Sequence, residues 1–200
     1  MSILARDFYS RNALDVANDL LGCRLIRIQK SIRMAGIISE VEAYRGEDDL
    51  GCHAHVGRTP RNEVMYGPPG HAYVYFTYGM HWLLNVVTER EGLAEAVLIR
   101  SIIPVEGYEL MAENRPYHAL KKDWLKGPAK ICQALALDGS FNGVDLCDKN
   151  GQIFIEAGKK IAAQNITSSP RIGLTSVPEP WKSILWRFEI TIDDYQEYYA

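Results

Sequence analysis

Apolar residues recur at helical spacing in only a few places along the chain. Ala13, Leu14, Ala17, Leu20 and Leu21 form a stripe at three- and four-residue intervals, with Asn12 before it and Gly22 after it. That pattern predicts a capped helix with a glycine stop. From Ala35 to Tyr44 the period drops to two, placing Ile38, Glu40 and Glu42 on one strand face and Ile37, Ser39 and Val41 on the other. The aromatic and β-branched run from Ala72 to Val87 is interrupted at Tyr78-Gly79-Met80. It predicts a hairpin with Tyr78 at its tip and with Tyr73 and Tyr75 sharing a face. Another strand, Ala94 to Ile99, runs into Arg100. Pro104 is expected to open a helix through about Glu113, and Pro128 to sit in the first turn of a second, with Ile131, Cys132 and Leu135 inward. Short strands and loops follow from Val144. The strands cluster without βαβ alternation, so the predicted class is α+β: a single domain with a curved antiparallel β-sheet flanked by helices and a protruding β-hairpin.

Composition adds a boundary and a compartment. The 200 residues are 47% hydrophobic and 24% charged, enough for one sizeable core. The formal net charge of −3 argues against a nucleic-acid partner until it is divided. Glu189 to Ala200 hold Glu189, Asp193, Asp194 and Glu197 and no base, a tail of −4; residues 1–188 carry 22 bases against 21 acids, or +1. The expected organisation is a domain over 1–188 and an acidic C-terminal tail over 189–200. Within the domain, residues 115–130 carry +4 and residues 156–187 carry +3. Either stretch is a solvated surface or a site of phosphate contact, the latter helped by Gly127-Pro128 at a helix start. No signal peptide or spanning segment is predicted, which implies a cytoplasmic protein with no membrane partner. Cys23, Cys52, Cys132 and Cys147 form no C-x-x-C pair and are expected to be reduced thiols, mostly buried.

Several residues carry candidate chemistry. A carboxylate on a largely apolar strand is costly to bury without a partner or a task, and one ionised carboxylate beside a pocket suffices to activate water. Spacing alone does not choose between Glu40 and Glu42, and a solvent-facing strand glutamate explains either. Cys52-His-Ala-His55 invites a metal reading, but no further ligand cluster completes a coordination sphere, so a polar loop histidine is preferred. Tyr44, Tyr73, Tyr75, Tyr78 and Trp82 are sheet core or a π-rich slot for a flat, preferably cationic, ring. No lysine occurs from Ser31 to Leu120, which removes a Schiff-base nucleophile from that span.

Taken in order, Glu40-Val-Glu-Ala-Tyr44, His53, Thr59-Pro-Arg-Asn62, Tyr73-Val-Tyr-Phe-Thr-Tyr-Gly-Met80, Asn85, Leu98-Ile-Arg100, Gly127-Pro-Ala-Lys-Ile-Cys-Gln-Ala-Leu135 and Arg171-Ile-Gly173 resemble the alkyladenine (3-methyladenine, methylpurine) DNA glycosylases. The resemblance implies a monofunctional glycosylase of base excision repair that flips alkylated or deaminated purines out of double-stranded DNA. The implied lesions are 3-methyladenine, 7-methylguanine, hypoxanthine and ethenoadenine. It implies Glu42 as the base that activates water and Arg100 as its partner near the phosphate. Tyr44, His53 and Tyr75 become the residues around the flipped purine, Asn85 the group that disfavours guanine, and Tyr78 the wedge in the minor groove. Arg61, Lys126 and Lys130 are expected at phosphates. No cofactor or metal is implied, and a monomer is expected. The family continues past Phe188 into a Ser/Pro-containing segment where this chain reads Glu189-Ile-Thr-Ile-Asp-Asp-Tyr195; that departure motivates an alternative, a non-catalytic damaged-DNA binding protein of the same fold. A metal-dependent hydrolase built on Cys52, His53 and His55 is a third.

Overall fold

Alternating strands dominate the middle of the chain, and they join in one antiparallel sheet. The computed structural model describes residues 2–115 and 123–191; Lys121, Lys122, Asp193, Asp194 and Glu197 lie outside the described residues. The strands are β1 (Arg24–Gln29), β2 (Ile32–Arg45), β3 (Ala72–Thr77), β4 (His81–Thr88), β5 (Glu95–Glu106), β6 (Ile153–Glu156), β7 (Ile166–Ser169) and β8 (Arg187–Ile190). They lie in the order β3-β4-β5-β2-β1-β6, with β8 joined to β2 and β7 to β8. Among the described residues the α-helices that accompany them are α1 (Arg6–Tyr9), α2 (Ala13–Leu20), α3 (Tyr108–Asn114) and α4 (Pro128–Ala134).

β2 organises the sheet because three strands pair with it. β5 runs along one edge, while β1 takes the other edge from Ile32 to Ile37 and β8 takes it from Glu40 to Glu42. The hand-over coincides with register shifts against β5 between Ile38 and Val41. A bulge adds twist and re-aims side chains, and here it curls the sheet and changes its facing. Strict alternation puts Ile38 with Glu40 and Glu42; instead Ile38 joins Val41 and Ala43 in the main core, because the irregularity at Ser39–Glu40 offsets the two halves of the strand.

The helix at Asn12 forms as its pattern requires. The Asn12 side chain accepts from the Leu14 and Asp15 amides, and Ala13, Val16, Ala17 and Leu20 are fully buried. Glu95 Oε2 accepts from the Ala13 amide at 2.6 Å, tying the helix start to β5. The hairpin also forms, β3 and β4 meeting through Tyr78-Gly79-Met80. Pro128 opens α4, and Ile131, Cys132 and Leu135 are buried.

Two boundaries move. Pro104 does not open a helix: it lies in β5 opposite Gly36, at a register shift where a ladder donor is dispensable. The helix begins only after Gly107, whose φ of +75° turns the chain. Charge alone ends the domain at Phe188, yet β8 continues to Ile190, with Glu189 paired to Glu40 in the ladder, so the first residues of the expected tail belong to the sheet. Among the described residues no helix is long and apolar enough to cross a membrane.

Replacing Asn12 by alanine removes acceptors for two amides at the start of α2. Urea denaturation is expected to show a loss of about 1 kcal/mol, the usual cost of deleting such a cap, with the slope of the transition unchanged.

Candidate active site

Past the bulge, Glu40, Glu42 and Tyr44 project from the end of β2 toward Arg100 on β5. Arg100 Nε lies 3.0 Å from Glu40 Oε1 and Nη1 lies 3.2 Å from Glu42 Oε1. Glu42, with no exposed surface, also accepts from the Ile172 amide on Oε1 at 2.7 Å and from the Tyr44 hydroxyl on Oε2 at 2.8 Å. Burial raises its pKa and the Glu40 charge adds to that; Arg100, the Ile172 N–H and the Tyr44 hydroxyl oppose the rise without cancelling it. Burial works against Arg100's charge, but Glu42 and Glu40 outweigh it and hold its pKa above the ordinary arginine value. β8 completes the group, with Arg187 Nη1 2.9 Å from Glu40 Oε1.

A cavity of about 360 Å³ opens beside this cluster. Tyr44, His53, Tyr73, Tyr75, Asn85 and Arg100 line it, together with Ile172, Gly173 and Leu174; Glu42 lies just behind Tyr44, Arg100 and Ile172. Tyr73 and Tyr75 stack at 5.3 Å between ring centroids, and the His53 ring stands edge-on to Tyr75 at 4.5 Å. His53 comes from a short 3₁₀ turn, His53–Val56, and its Nδ1 is 3.0 Å from the Tyr73 hydroxyl. Buried Asn62 holds that turn: its amide donates to the His53 and Gly57 carbonyls, each at 2.9 Å, and its oxygen accepts from the Thr59 amide. Burial first, then the Arg61 and His55 charges, lower the His53 pKa to about 4, so the ring is neutral at neutral pH. Asn85 Nδ2 donates to the Tyr73 carbonyl at 3.1 Å across the hairpin.

Tyr78 stands at the cavity rim with 82% of its surface exposed. Tyr78 and Gly79 both have positive φ, +52° and +68°, and the Met80 amide bonds to the Thr77 carbonyl, which is a type I′ turn. A tyrosine in that conformation is uncommon and strained. The three basic residues expected at phosphates are placed differently from one another. Arg61 is exposed beside the hairpin, 3.4 Å from the Phe76 carbonyl and over the Tyr75 ring. Lys130 is half-buried on α4, whose Pro128 lines the cavity. Lys126 pairs with Glu189 on β8.

The 156–187 stretch, which its charge marks as surface or phosphate contact, is corrected at two positions. Arg171 is fully buried in an ion pair with Asp49, and Arg187 pairs with Glu40 and Glu189. Asp49 and Ile172 therefore belong to the site's surroundings although no local pattern marks them; the Arg171-Ile-Gly173 block was the one available sign. Among the described residues no three His, Cys, Asp or Glu side chains converge as a metal set. Cys52 Sγ accepts from the Ala54 amide and His55 Nδ1 meets the Cys52 carbonyl, so both serve their own turn. The four cysteines are free thiols, three of them buried.

Known proteins resemble this chain over most of its length. The family model described as "Methylpurine-DNA glycosylase (MPG)" matches residues 7–194. A protein of Methanocella arvoryzae named "Putative 3-methyladenine DNA glycosylase" is 46% identical over 186 residues, 91% of this chain and 92% of its own length. Proteins of the same name from Carboxydothermus hydrogenoformans and Clostridium acetobutylicum are 45% identical over 194 residues and 46% over 196, covering 96% and 94% of this chain and 97% and 93% of theirs.

His53 should titrate far below a free imidazole. An NMR titration of its ring protons is expected to give a midpoint near 4, and Arg61→Ala to move it upward; a midpoint at or above 6.5 would show that burial does not govern the ring.

Proposed function

The chain belongs to the methylpurine-DNA glycosylase family, and from that premise we propose that Glu42 is the general base of an N-glycosidic hydrolysis carried out on a purine held in the tyrosine-lined cavity. The enzyme is a hydrolase of the DNA-3-methyladenine glycosylase type. The observation that carries the proposal is the Glu42 carboxylate, buried yet held by three donors at the edge of a cavity of about 360 Å³.

A carboxylate offers about four acceptor positions. Ile172 and Arg100 take those of Oε1 and Tyr44 takes one on Oε2, leaving one for a water proton. Burial makes Glu42 a stronger base than a free glutamate, while Arg100 and the two hydrogen bonds keep a negative charge tolerable there. In the reaction the water oxygen bonds to C1′ of the sugar, its proton passes to Glu42, and the C1′–N bond electrons leave with the purine. A purine alkylated at N3 or N7 carries a positive charge and departs as a neutral base. Among the described residues no lysine lines the cavity, which supports hydrolysis without a covalent enzyme–sugar step.

The substrates we infer are 3-methyladenine, 7-methylguanine, hypoxanthine and ethenoadenine in double-stranded DNA. Unstacking a base from a duplex costs a few kcal/mol, and stacking on aromatic rings returns about 1–3 kcal/mol per base. Tyr44, His53 and Tyr75 supply those contacts. Neutral His53 adds no charge to repel a cationic purine. Asn85, anchored to the Tyr73 carbonyl, disfavours the exocyclic amine of guanine. Tyr78 is presented outward as the wedge that fills the gap left in the duplex, and Arg61 and Lys130 meet phosphates, as does Lys126 once it exchanges Glu189 for one. We infer further a monomer that acts on DNA in the cytoplasm.

The test is base release from a duplex bearing one 3-methyladenine or hypoxanthine. Glu42→Gln is expected to slow release by about 10²–10⁴-fold, the range of general-base catalysis, while lesion binding persists; an equally active variant sinks the assignment. Lesion-specific binding without release by the wild type would instead favour the non-catalytic alternative. Tyr78→Ser should weaken binding to lesion DNA more than to undamaged DNA, and equal losses argue against a wedge. Because Glu42 works ionised and burial raises its pKa, the rate should fall as pH drops through a midpoint above 4.5, the ordinary glutamate value.

A further inference from the structure

Arg171 and Asp49 are each fully buried, 122 residues apart in sequence, and form a two-pronged ion pair with Nη1–Oδ2 at 2.5 Å and Nη2–Oδ1 at 2.7 Å. Asp49 uses its remaining acceptor positions on the backbone, Oδ1 for the Gly51 amide at 2.9 Å and Oδ2 for the Arg45 amide at 3.1 Å. Arg171 Nη1 also donates to the Ala43 carbonyl at 3.0 Å, between Glu42 and Tyr44 on β2. The flat guanidinium lies over the Tyr44 ring at 4.7 Å and over Trp186 at 5.1 Å. A side chain at Gly51 would fall 2.8 Å from Arg171 Nη2, so the turn toward His53 passes hard against the pair.

The pair therefore joins the end of β2, the turn that leads to His53, and the segment holding Ile172, whose amide donates to Glu42. We propose that Arg171 and Asp49 are positioning residues that hold the Tyr44 hydroxyl and the Ile172 N–H against the Glu42 carboxylate, and thereby set the geometry and the protonation of the base; this rests on Glu42 being that base. Packing alone does not require such a pair, since apolar residues of similar size are often as stable or more so in place of a buried ion pair. What they would not supply is a forked donor whose plane also stacks on tyrosine, and lysine would not supply it either.

The groups facing Glu42 are Glu40 and Tyr44 from β2, Arg100 from β5, Tyr75 from β3, Arg187 opposite it on β8, and Arg171 with the Ile172 amide. Of these, the Ile172 and Tyr44 donors depend on the pair, and the Arg171 charge goes with it, a loss that Arg171→Lys avoids. Losing them removes stabilisation of the ionised form and raises the pKa of Glu42.

The full chain carrying Arg171→Met and Asp49→Leu together loses both charges at once and is expected to fold, with a lower melting temperature because the Arg45 and Gly51 amides and the Ala43 carbonyl lose their partners. Its single-turnover release of hypoxanthine from duplex DNA should fall at least tenfold, and the acidic limb of its pH–rate profile should move to higher pH. Arg171→Lys, which keeps the charge but not the fork, should shift the limb the same way with a smaller loss of rate, and it serves if the double variant does not fold. A folded variant of either kind with wild-type rate and an unmoved limb overturns the proposal. If Glu42→Gln stays active, the assignment of the base has failed; if Glu42→Gln is inactive while the pair variants behave as wild type, only the positioning role has.

Discussion

Burial of the Glu42 carboxylate is the constraint around which the sheet is arranged. An ionised carboxylate out of water is costly unless it is paired and hydrogen-bonded, and the partners here arrive from separate stretches of chain: Arg100 on β5, Tyr44 on β2 itself, and the amide of Ile172. Glu40 doubles the negative charge, and Arg187 on β8 answers it. Two glutamates then face two arginines. That balance depends on β8 replacing β1 along β2, and on the bulge that turns Glu40 and Glu42 away from the core while Val41 and Ala43 stay in it. The curl of the sheet and the position of Glu42 are thus one geometric fact.

The aromatic slot has the opposite electrostatic character. Its walls are phenol rings and an imidazole that burial keeps uncharged at neutral pH. A neutral slot with π faces attracts a cationic ring and admits a neutral one, and the Glu42 carboxylate lies behind it, held by Tyr44, Arg100 and Ile172. On the proposed reading, separating the two regions lets recognition of the base and activation of water be set by different residues.

Elements governed by neighbours in sequence were legible before the fold was known. The Asn12 cap, the hairpin with Tyr78 at its tip, the shared face of Tyr73 and Tyr75, and the first turn at Pro128 all follow from patterns a few residues long. What failed depended on distant partners. Ile38 changed face because β5 slips register against β2; Pro104 stayed in a strand because Gly36 lies opposite; Glu189 entered the sheet because Glu40 pairs with it. Of the site, Glu42 and Tyr44 could be placed on one strand face, but the choice of Glu42 over Glu40 came from family resemblance. Asp49 carried no local sign, since its role is defined by an arginine 122 residues away.

Charge counting fails for the same reason. A net charge of −3 and locally basic stretches describe formal charges, whereas phosphates respond to those left unpaired at the surface. Arg171 and Arg187 are consumed by Asp49, Glu40 and Glu189, and Lys126 is tied to Glu189. Arg61, beside the hairpin, meets the Phe76 carbonyl and the Tyr73 hydroxyl, and Lys130 meets the Asp123 carbonyl; neither is spent on a carboxylate in those contacts. Affinity that depends on releasing counterions scales with the number of phosphates neutralised. Arginines paired internally, as Arg171 and Arg187 are, add nothing to that nonspecific attraction; on the proposed reading, discrimination then rests more heavily on the rings of the slot and on Tyr78 at the turn than on charge spread over the surface.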